Sequence, residues 1–137
     1  MLEVKNLKVA YGRVRAVKGI SFTVEQGQVV TLVGTNGAGK TTTLRTISGL
    51  IRPESGEIWF EGKRIDSTPA HDVVTRGLAH SPEGRRIFPR LTVEDNLMLG
   101  AFTRKDRTGV GQDLDRVFTL FDILKTRRSQ PAGTFSG

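Results

Sequence analysis

The pattern of apolar and polar positions changes abruptly near residue 28. Before that point, apolar residues alternate with polar ones from Leu2 to Val9, which predicts a strand with a break near Asn6. The same alternation over Ala16–Val24 predicts a second strand, followed by a turn at residues 25–28. The first part of the chain is therefore expected to form an antiparallel meander.

From residue 29 onward the pattern is that of a different fold class. The run Val29–Val33 is apolar apart from one Thr, which predicts a strand buried on both faces, as in a parallel sheet. A glycine-rich loop follows, and the apolar spacing over Thr42–Leu50 predicts a helix that ends near Gly49 and Pro53. A buried strand, a loop and a helix in this order indicate an α/β core.

Shorter elements are predicted along the rest of the chain. They are a strand at Glu57–Phe60, a helix at Pro69–Arg76, a strand that Gly77–His80 leads into and that stops at Pro82, a helix from Thr92 to Gly100, a loop at Arg104–Gly111 and an amphipathic helix at Asp113–Lys125. Thr92 is expected to cap its helix, because a hydroxyl can accept from the first free amides of a helix. The acidic residues Glu94 and Asp95 suit its positive end.

Composition narrows the class of function only slightly. The chain has 137 residues, a formal net charge of +7 and no cysteine, which excludes disulfides and cysteine-based metal sites. No apolar run is long enough to cross a bilayer. The basic residues are spread along the chain, and no aromatic-plus-basic RNA signature accompanies them. Two small basic groups are therefore interpreted as solvated surface: Arg85, Arg86 and Arg90, and then Arg104, Lys105 and Arg107.

The glycine-rich loop carries the clearest chemistry in the sequence. It fits the pattern G-x-x-x-x-G-K-[ST] with Gly34, Thr35, Asn36, Gly37, Ala38, Gly39, Lys40 and Thr41. Glycines let consecutive amides point at one phosphate, and the free amides at the start of the next helix join them. Lys40 would contact the β- and γ-phosphates, Thr41 would offer a hydroxyl to Mg²⁺, and Thr42 would reach the α-phosphate. The sequence therefore predicts a P-loop that binds a nucleoside triphosphate with Mg²⁺.

A P-loop alone does not separate kinases, GTPases and transport ATPases. The tetrapeptide Asn-Lys-x-Asp that GTPases use for guanine is absent. The choice among the other classes depends on segments outside the loop.

Four such segments resemble ABC-type ATP-binding domains, and they occur in that family's order. They are Val9–Gly12 with Tyr11, the turn and strand Leu50–Ile58, the Q-loop region Ser81–Leu97, and Phe135-Ser136-Gly137. The resemblance implies that Tyr11 stacks on adenine, which suits a flat aromatic face. It also implies that Ser136 and Gly137 begin the signature motif and bind the γ-phosphate held by an opposite subunit.

One position departs from the family pattern. Most members have Gln where this sequence has Glu83, although a carboxylate can also approach Mg²⁺ or the attacking water. The form Pro-Glu-Gly-Arg-Arg resembles the ATP-binding subunits of branched-chain amino acid importers. The resemblance thus implies that Lys40 and Glu83 act in catalysis, that Thr41 and Glu83 face the metal, and that the substrate is an amino acid.

Several motifs of the family are not found in the sequence. The rest of the signature, the Walker B aspartate, the catalytic glutamate and the switch histidine are absent, so the general base is expected beyond Gly137. His71 and His80 do not stand where a switch histidine would, and both are interpreted as incidental. We therefore expect a fragment that ends inside the signature and is a poor ATPase by itself.

The resemblance implies an overall picture. The fold would be α/β, an incomplete ABC-type P-loop NTPase core with an N-terminal antiparallel β subdomain and the start of a helical subdomain. About residues 1–82 would form the β subdomain and P-loop core, and about residues 83–137 the Q-loop and helical subdomain. The protein would bind ATP and Mg²⁺, pair head to tail with a second ATP-binding subunit, and lie peripherally on the cytoplasmic face of the inner membrane. It would there bind permease subunits through a groove near Phe88, Pro89 and Leu91.

Two alternatives stay open at this point. One is a non-transport ABC-type ATPase that acts on nucleic acid or ribosomes, which the basic charge permits. The other is a P-loop kinase outside the ABC family.

Overall fold

The computed structural model describes residues 1–84 and 86–135, and these residues divide between two compact units. The first unit is Met1–Ser81 and the second is Pro82–Gly137. Arg85, Ser136 and Gly137 lie outside the described residues.

An antiparallel sheet forms the body of the first unit. Its strands are β1 (Leu2–Tyr11), β2 (Val14–Val24), β3 (Ser55–Phe60) and β4 (Lys63–Arg64), in the order β2-β1-β3-β4. β1 pairs antiparallel with both β2 and β3, which confirms the predicted meander. The predicted break is present as well, because Asn6 has a φ of 47° and the register shifts between Val4 and Leu7.

Two helices belong to the first unit, α1 (Lys40–Ile47) and α2 (Ala70–Thr75). Their buried residues join one apolar core with the inner face of the sheet, formed by Val4, Leu7, Val9, Val17, Ile47, Ile58, Ile65 and Val73. Burial of these side chains is the main force that holds α1 against the sheet, because removing apolar area from water is favourable. The core therefore fixes where the P-loop helix begins.

Two strand predictions in the first unit were wrong. Val29–Val33 is irregular, and Val29 and Val33 are 92% and 90% exposed. The segment from Gly77 to Pro82 is also irregular. A strand of a parallel sheet needs neighbours to accept and donate its backbone hydrogen bonds, and no strand of the described residues pairs with either segment. Beside them lies an apolar groove of about 310 Å³, whose lining includes Val30, Leu32 and Leu78.

The second unit is helical, with α3 (Val93–Gly100), α4 (Arg107–Leu120), α5 (Asp122–Thr126) and a 3₁₀ turn at Ala132–Thr134. The predicted cap of α3 is confirmed. Thr92 Oγ1 accepts from the Asp95 amide at 3.0 Å, and the Asp95 carboxylate accepts from the Thr92 amide at 3.2 Å. These reciprocal bonds fix the first residue of α3.

The predicted loop and amphipathic helix of the second unit were placed wrongly. Helix α4 begins at Arg107, inside the predicted loop, and ends at Leu120, so α5 is a separate helix. Arg104 explains the early start, because its guanidinium pairs with both Asp106 and Asp113. Hydrogen bonds from Arg104 hold the pKa of Asp106 below its ordinary value. Phe121 lies at the break between the two helices and is 56% exposed.

Candidate functional site: the P-loop and its surroundings

The P-loop, residues 34–41, connects an irregular segment to the first turn of α1. Lys40 is the first residue of that helix, two positions earlier than the spacing predicted. Its ammonium group donates to the carbonyl oxygens of Gly34 at 2.7 Å and of Thr35 at 2.8 Å. The Ala38 amide donates to the Thr35 carbonyl at 3.1 Å. The side chain of Lys40 thus closes the loop into a ring of backbone.

The amides on this ring are available to a ligand. Among the described residues, no carbonyl accepts a hydrogen bond from the amides of Gly37, Gly39, Lys40, Thr41 or Thr42. Helix α1 has no side-chain cap and no acidic residue in its first turn. The positive end of the helix dipole is therefore uncompensated, which is the local arrangement that binds phosphate groups.

Gly39 is held between the helix and strand β2. Its φ is +86°, and a Cβ there would come within 2.5 Å of the Ala16 carbonyl oxygen and 3.0 Å of Val17 Cγ2. Gly37 has a similar φ of +85°, but a Cβ on Gly37 would have no atom within 4 Å. Gly39 is therefore needed for both space and its left-handed conformation, and Gly37 for the conformation alone. Contact with β2 is what places the P-loop against the sheet.

Three threonines follow Lys40, and each has a different environment. Thr41 is exposed, so its hydroxyl can meet a ligand. Thr42 is half-buried, and its Oγ1 lies 3.4 Å from the Tyr11 hydroxyl. Thr43 is buried, and its hydroxyl donates back to the Gly39 carbonyl at 2.9 Å. Thr41 and Thr42 are therefore at least partly accessible, whereas the Thr43 hydroxyl bonds the backbone at the start of the helix.

The structure brings Tyr11 to the P-loop helix although 31 residues separate it from Thr42. Tyr11 is the last residue of β1 and is 49% exposed, so much of its side chain is accessible. The remaining loop residues Thr35, Asn36 and Ala38 are exposed. An aromatic side chain, free amides and an ammonium group thus surround one surface, which suits a nucleotide with a base and several phosphates.

Three other predicted site residues lie outside the first unit or outside the described residues. Glu83 is exposed and belongs to the second unit. Ser136 and Gly137 lie outside the described residues. Among the residues that the structure describes, no group of three His, Cys, Asp or Glu side chains could hold a metal ion. A cation at the P-loop would therefore need oxygen atoms from the nucleotide itself, in addition to the Thr41 hydroxyl.

Two polar side chains to which the sequence assigned no role, His80 and Asn96, form hydrogen bonds with neighbouring segments. His80 was interpreted as incidental, but its Nδ1 lies 2.8 Å from the hydroxyl of Ser48 at the end of α1. That hydroxyl donates to the Leu44 carbonyl, so His80 is the donor in the other bond. In the second unit, the Asn96 side chain bonds both backbone groups of Phe88, at 2.8 and 3.0 Å. In the sequence, each of the two could have been recognised as a polar residue on or beside an otherwise apolar element.

The second unit has an apolar groove of about 530 Å³. Its lining includes Ile87, Phe88, Leu97, Leu99, Leu124 and Phe135, with Arg86 and Asn96 as polar members. Phe88 is 60% exposed, so the ring that was expected to contact a partner does present itself to solvent. Leu91 is 38% exposed and does not line the groove.

None of the helices in the described ranges, 1–84 and 86–135, has the length and apolar character needed to span a bilayer.

Comparison with known proteins agrees with the geometry of the P-loop. The family profile described as ABC transporter matches residues 17–137. The chain is 44% identical over 138 residues to the high-affinity branched-chain amino acid transport ATP-binding protein BraG of Pseudomonas aeruginosa, covering 100% of this chain and 58% of that protein. It is 41% identical over 108 residues to the lipopolysaccharide export system ATP-binding protein LptB of Haemophilus influenzae, covering 79% of this chain and 45% of that protein.

A solved structure described as the ATP-binding subunit of an ABC transporter has the same fold. It superposes with a TM-score of 0.86 at 32% identity, covering 99% of this chain and 56% of the other. The α/β fold class with an N-terminal antiparallel subdomain is thereby confirmed. The chain covers between 45% and 58% of the length of these relatives. From the profile match and the likeness along the whole chain, it follows that this protein belongs to the ABC transporter family.

Proposed function

We propose that the full-length protein is the ATP-binding subunit of a membrane importer for amino acids, in particular branched-chain ones, and that it hydrolyses ATP to power import. The observation that carries the proposal is the P-loop, where free amides and the Lys40 ammonium group converge at the start of α1. Family membership excludes the alternative of a P-loop kinase outside the ABC family. The relatives' names support transport over action on nucleic acid or ribosomes.

The P-loop residues would bind the nucleotide in a defined arrangement. Amides between Gly34 and Thr42 would contact phosphate oxygens, and Lys40 would exchange its bonds to the Gly34 and Thr35 carbonyls for the β- and γ-phosphates. The exposed ring of Tyr11 would stack on adenine. Mg²⁺ held by Thr41 and the phosphates would neutralise charge on the transferred group.

Residues of the second unit would complete the reaction. Glu83 would approach the metal or the attacking water, and its exposed carboxylate leaves that role open to it. Ser136 and Gly137 would bind the γ-phosphate held by the opposite subunit of a head-to-tail dimer. The general base would be supplied by a part of the full-length protein beyond this sequence.

The apolar groove of the second unit would bind the membrane partner. A groove of about 530 Å³ lined mainly by apolar side chains suits one face of a short amphipathic helix from a permease subunit. Arg86 at its lining would favour an acidic residue on that helix. This binding would place the protein peripherally at the cytoplasmic face of the inner membrane.

Uptake of radiolabelled leucine tests the proposal. Cells that lack the ATP-binding subunits of their branched-chain amino acid importer would carry the full-length protein, its Lys40→Ala variant or the control Lys63→Ala. Lys63 is an exposed lysine of β4, outside the P-loop. We expect the wild type and the control to restore uptake and Lys40→Ala to fail. The substrate assignment would be wrong if the wild type restored lipopolysaccharide export in an export-deficient strain but not leucine uptake.

A further inference from the structure

Two segments of the second unit, Pro89–Glu94 and Arg128–Gly133, run side by side. The first lies just after the Q-loop glutamate, and the second ends three residues before Ser136. Four backbone hydrogen bonds join them: Gly133 to Pro89 at 3.0 Å, Ala132 to Leu91 at 2.8 Å, Val93 to Gln130 at 3.1 Å and Glu94 to Arg128 at 3.0 Å. We call this arrangement the 89–133 pairing. It fixes the position of one segment relative to the other along its whole length.

Gly133 is the residue at which the pairing is tightest. A Cβ on Gly133 would lie 2.7 Å from Pro89 Cβ and 3.0 Å from the Pro89 carbonyl oxygen. Real Cβ atoms essentially never approach other heavy atoms at 2.7 Å, so any side chain would force the two segments apart. The ring of Pro89 fixes its own φ, which limits how far that side can yield. Gly133 is therefore required for space at this point.

The chain is held on the far side of Gly133 as well. The Arg127 guanidinium lies 5.3 Å from the centre of the Phe135 ring, a cation–π contact. Phe135 is the last described residue and directly precedes Ser136. The segment that leads to Ser136 is thus fixed by the glycine contact and by a stacked arginine.

We propose that Gly133 is a positioning residue for ATP hydrolysis, because its close approach to Pro89 sets the path of the chain into the signature segment. The inference rests on the proposed function, in which Ser136 meets the γ-phosphate of the opposite subunit. The P-loop lies in the first unit and the pairing in the second. We therefore expect a shift at Gly133 to slow the chemical step and to change ATP binding at the P-loop much less.

The test is the steady-state ATPase activity of the full-length protein with Gly133→Ala. We expect kcat to fall by about tenfold to a hundredfold, because a misplacement of about 1 Å can cost that much in a positioned reaction. The KM for ATP should stay within about twofold of the wild type. Gly111→Ala is the matched control, since a Cβ on Gly111 in α4 would have no atom within 4 Å, and its kcat should be unchanged.

A second substitution examines the contact itself. Pro89→Gly removes the Cβ that the new methyl group meets, so the double variant Pro89→Gly/Gly133→Ala should recover part of the kcat lost by Gly133→Ala, measured relative to Pro89→Gly alone. Where Gly133→Ala does not yield folded protein, Arg127→Gln decides the matter. It removes the stacked charge without adding volume, and its kcat should fall while the KM for ATP stays unchanged. The control Arg116→Gln, at an exposed position of α4 outside the pairing, should keep its activity.

The outcomes separate this inference from the proposed function. An unchanged kcat in Gly133→Ala would overturn the inference. If Gly133→Ala does not yield folded protein, an unchanged kcat in Arg127→Gln would overturn it. A parallel loss of kcat, ATP affinity and thermal stability would also overturn it, since a general loss of structure would explain that result. A wild type without ATPase activity, or with activity that survives Lys40→Ala, would instead contradict the proposed function.

Discussion

Lys40 has two sets of possible partners, and the structure shows one of them. Its ammonium group donates to the carbonyls of Gly34 and Thr35, so the loop is held by the same group that would bind phosphate. A triphosphate offers charged acceptors, which form stronger hydrogen bonds than neutral carbonyls. Binding would therefore exchange two internal bonds for charge-assisted ones.

The two left-handed glycines of the loop allow a matched comparison at the residue scale. Gly37→Ala introduces only backbone strain, about 1–2 kcal/mol for a side chain at positive φ. Gly39→Ala adds a clash with the Ala16 carbonyl at 2.5 Å, which would separate the P-loop from β2. We expect Gly39→Ala to lower the thermal midpoint of the full-length protein and its ATP affinity well beyond the effect of Gly37→Ala. Equal effects in calorimetry and nucleotide titration would show that the β2 contact does not place the loop.

Tyr11 is expected to recognise the base and not the phosphates. Tyr11→Ala should weaken ATP binding about tenfold, a typical loss for one stacked base. It should leave the affinity for inorganic triphosphate unchanged. Tyr11→Phe keeps the ring and removes only the long contact with Thr42 Oγ1 at 3.4 Å, so it should bind ATP nearly as well as the wild type. Equal losses for ATP and triphosphate in competition titrations would assign Tyr11 a structural role.

Among the elements, α3 depends most clearly on local sequence signals. The side chains of Thr92 and Asp95 accept from each other's amides, and Asn96 bonds the backbone of Phe88, eight residues earlier. The cap residue and the acidic first turn could be predicted from the sequence because their interactions span only three or four residues. The same element also carries side chains that line the apolar groove, so its stability would bear on the partner binding proposed for that groove.

Loss of the Thr92 cap should destabilise α3 locally. Thr92→Ala removes the acceptor for the Asp95 amide and should cost about 0.5–2 kcal/mol. Hydrogen exchange in the full-length protein should then quicken at the first-turn amides of α3. Thr103→Ala, at an exposed position outside the helices, serves as the control. Unchanged protection in α3 after Thr92→Ala would mean that packing alone defines where the helix begins.

At the scale of the whole molecule, sequence predicted best what local interactions determine. The meander, the P-loop helix and the cap of α3 all depend on short-range patterns, and each was found. Val29–Val33 was misjudged because its apolar pattern calls for neighbouring strands that the described residues do not supply. The start of α4 was predicted wrongly because it depends on Arg104, whose guanidinium pairs with both Asp106 and Asp113, the latter nine residues away. The 89–133 pairing joins segments about forty residues apart, so no local pattern could reveal it.

The residues of the candidate site could likewise be predicted where the signal is local, but not where it depends on contacts through the fold. The P-loop residues are contiguous, so their roles could be proposed from one short motif. The nearness of Tyr11 to Thr42 depends on how β1 and α1 pack, and it was expected only from the family resemblance. The roles of His80 and Asn96 depend on contacts made through the fold, and these were not foreseen.

The central claim is that the amides and ammonium group of the P-loop bind a triphosphate. Calorimetric titration of the full-length protein with ATP and Mg²⁺ tests it most directly, comparing the wild type with Lys40→Ala and the control Lys63→Ala. We predict that the wild type and the control bind ATP alike, while Lys40→Ala loses at least tenfold in affinity, a conservative figure for one charge-assisted contact. Undiminished ATP affinity in Lys40→Ala would contradict the account.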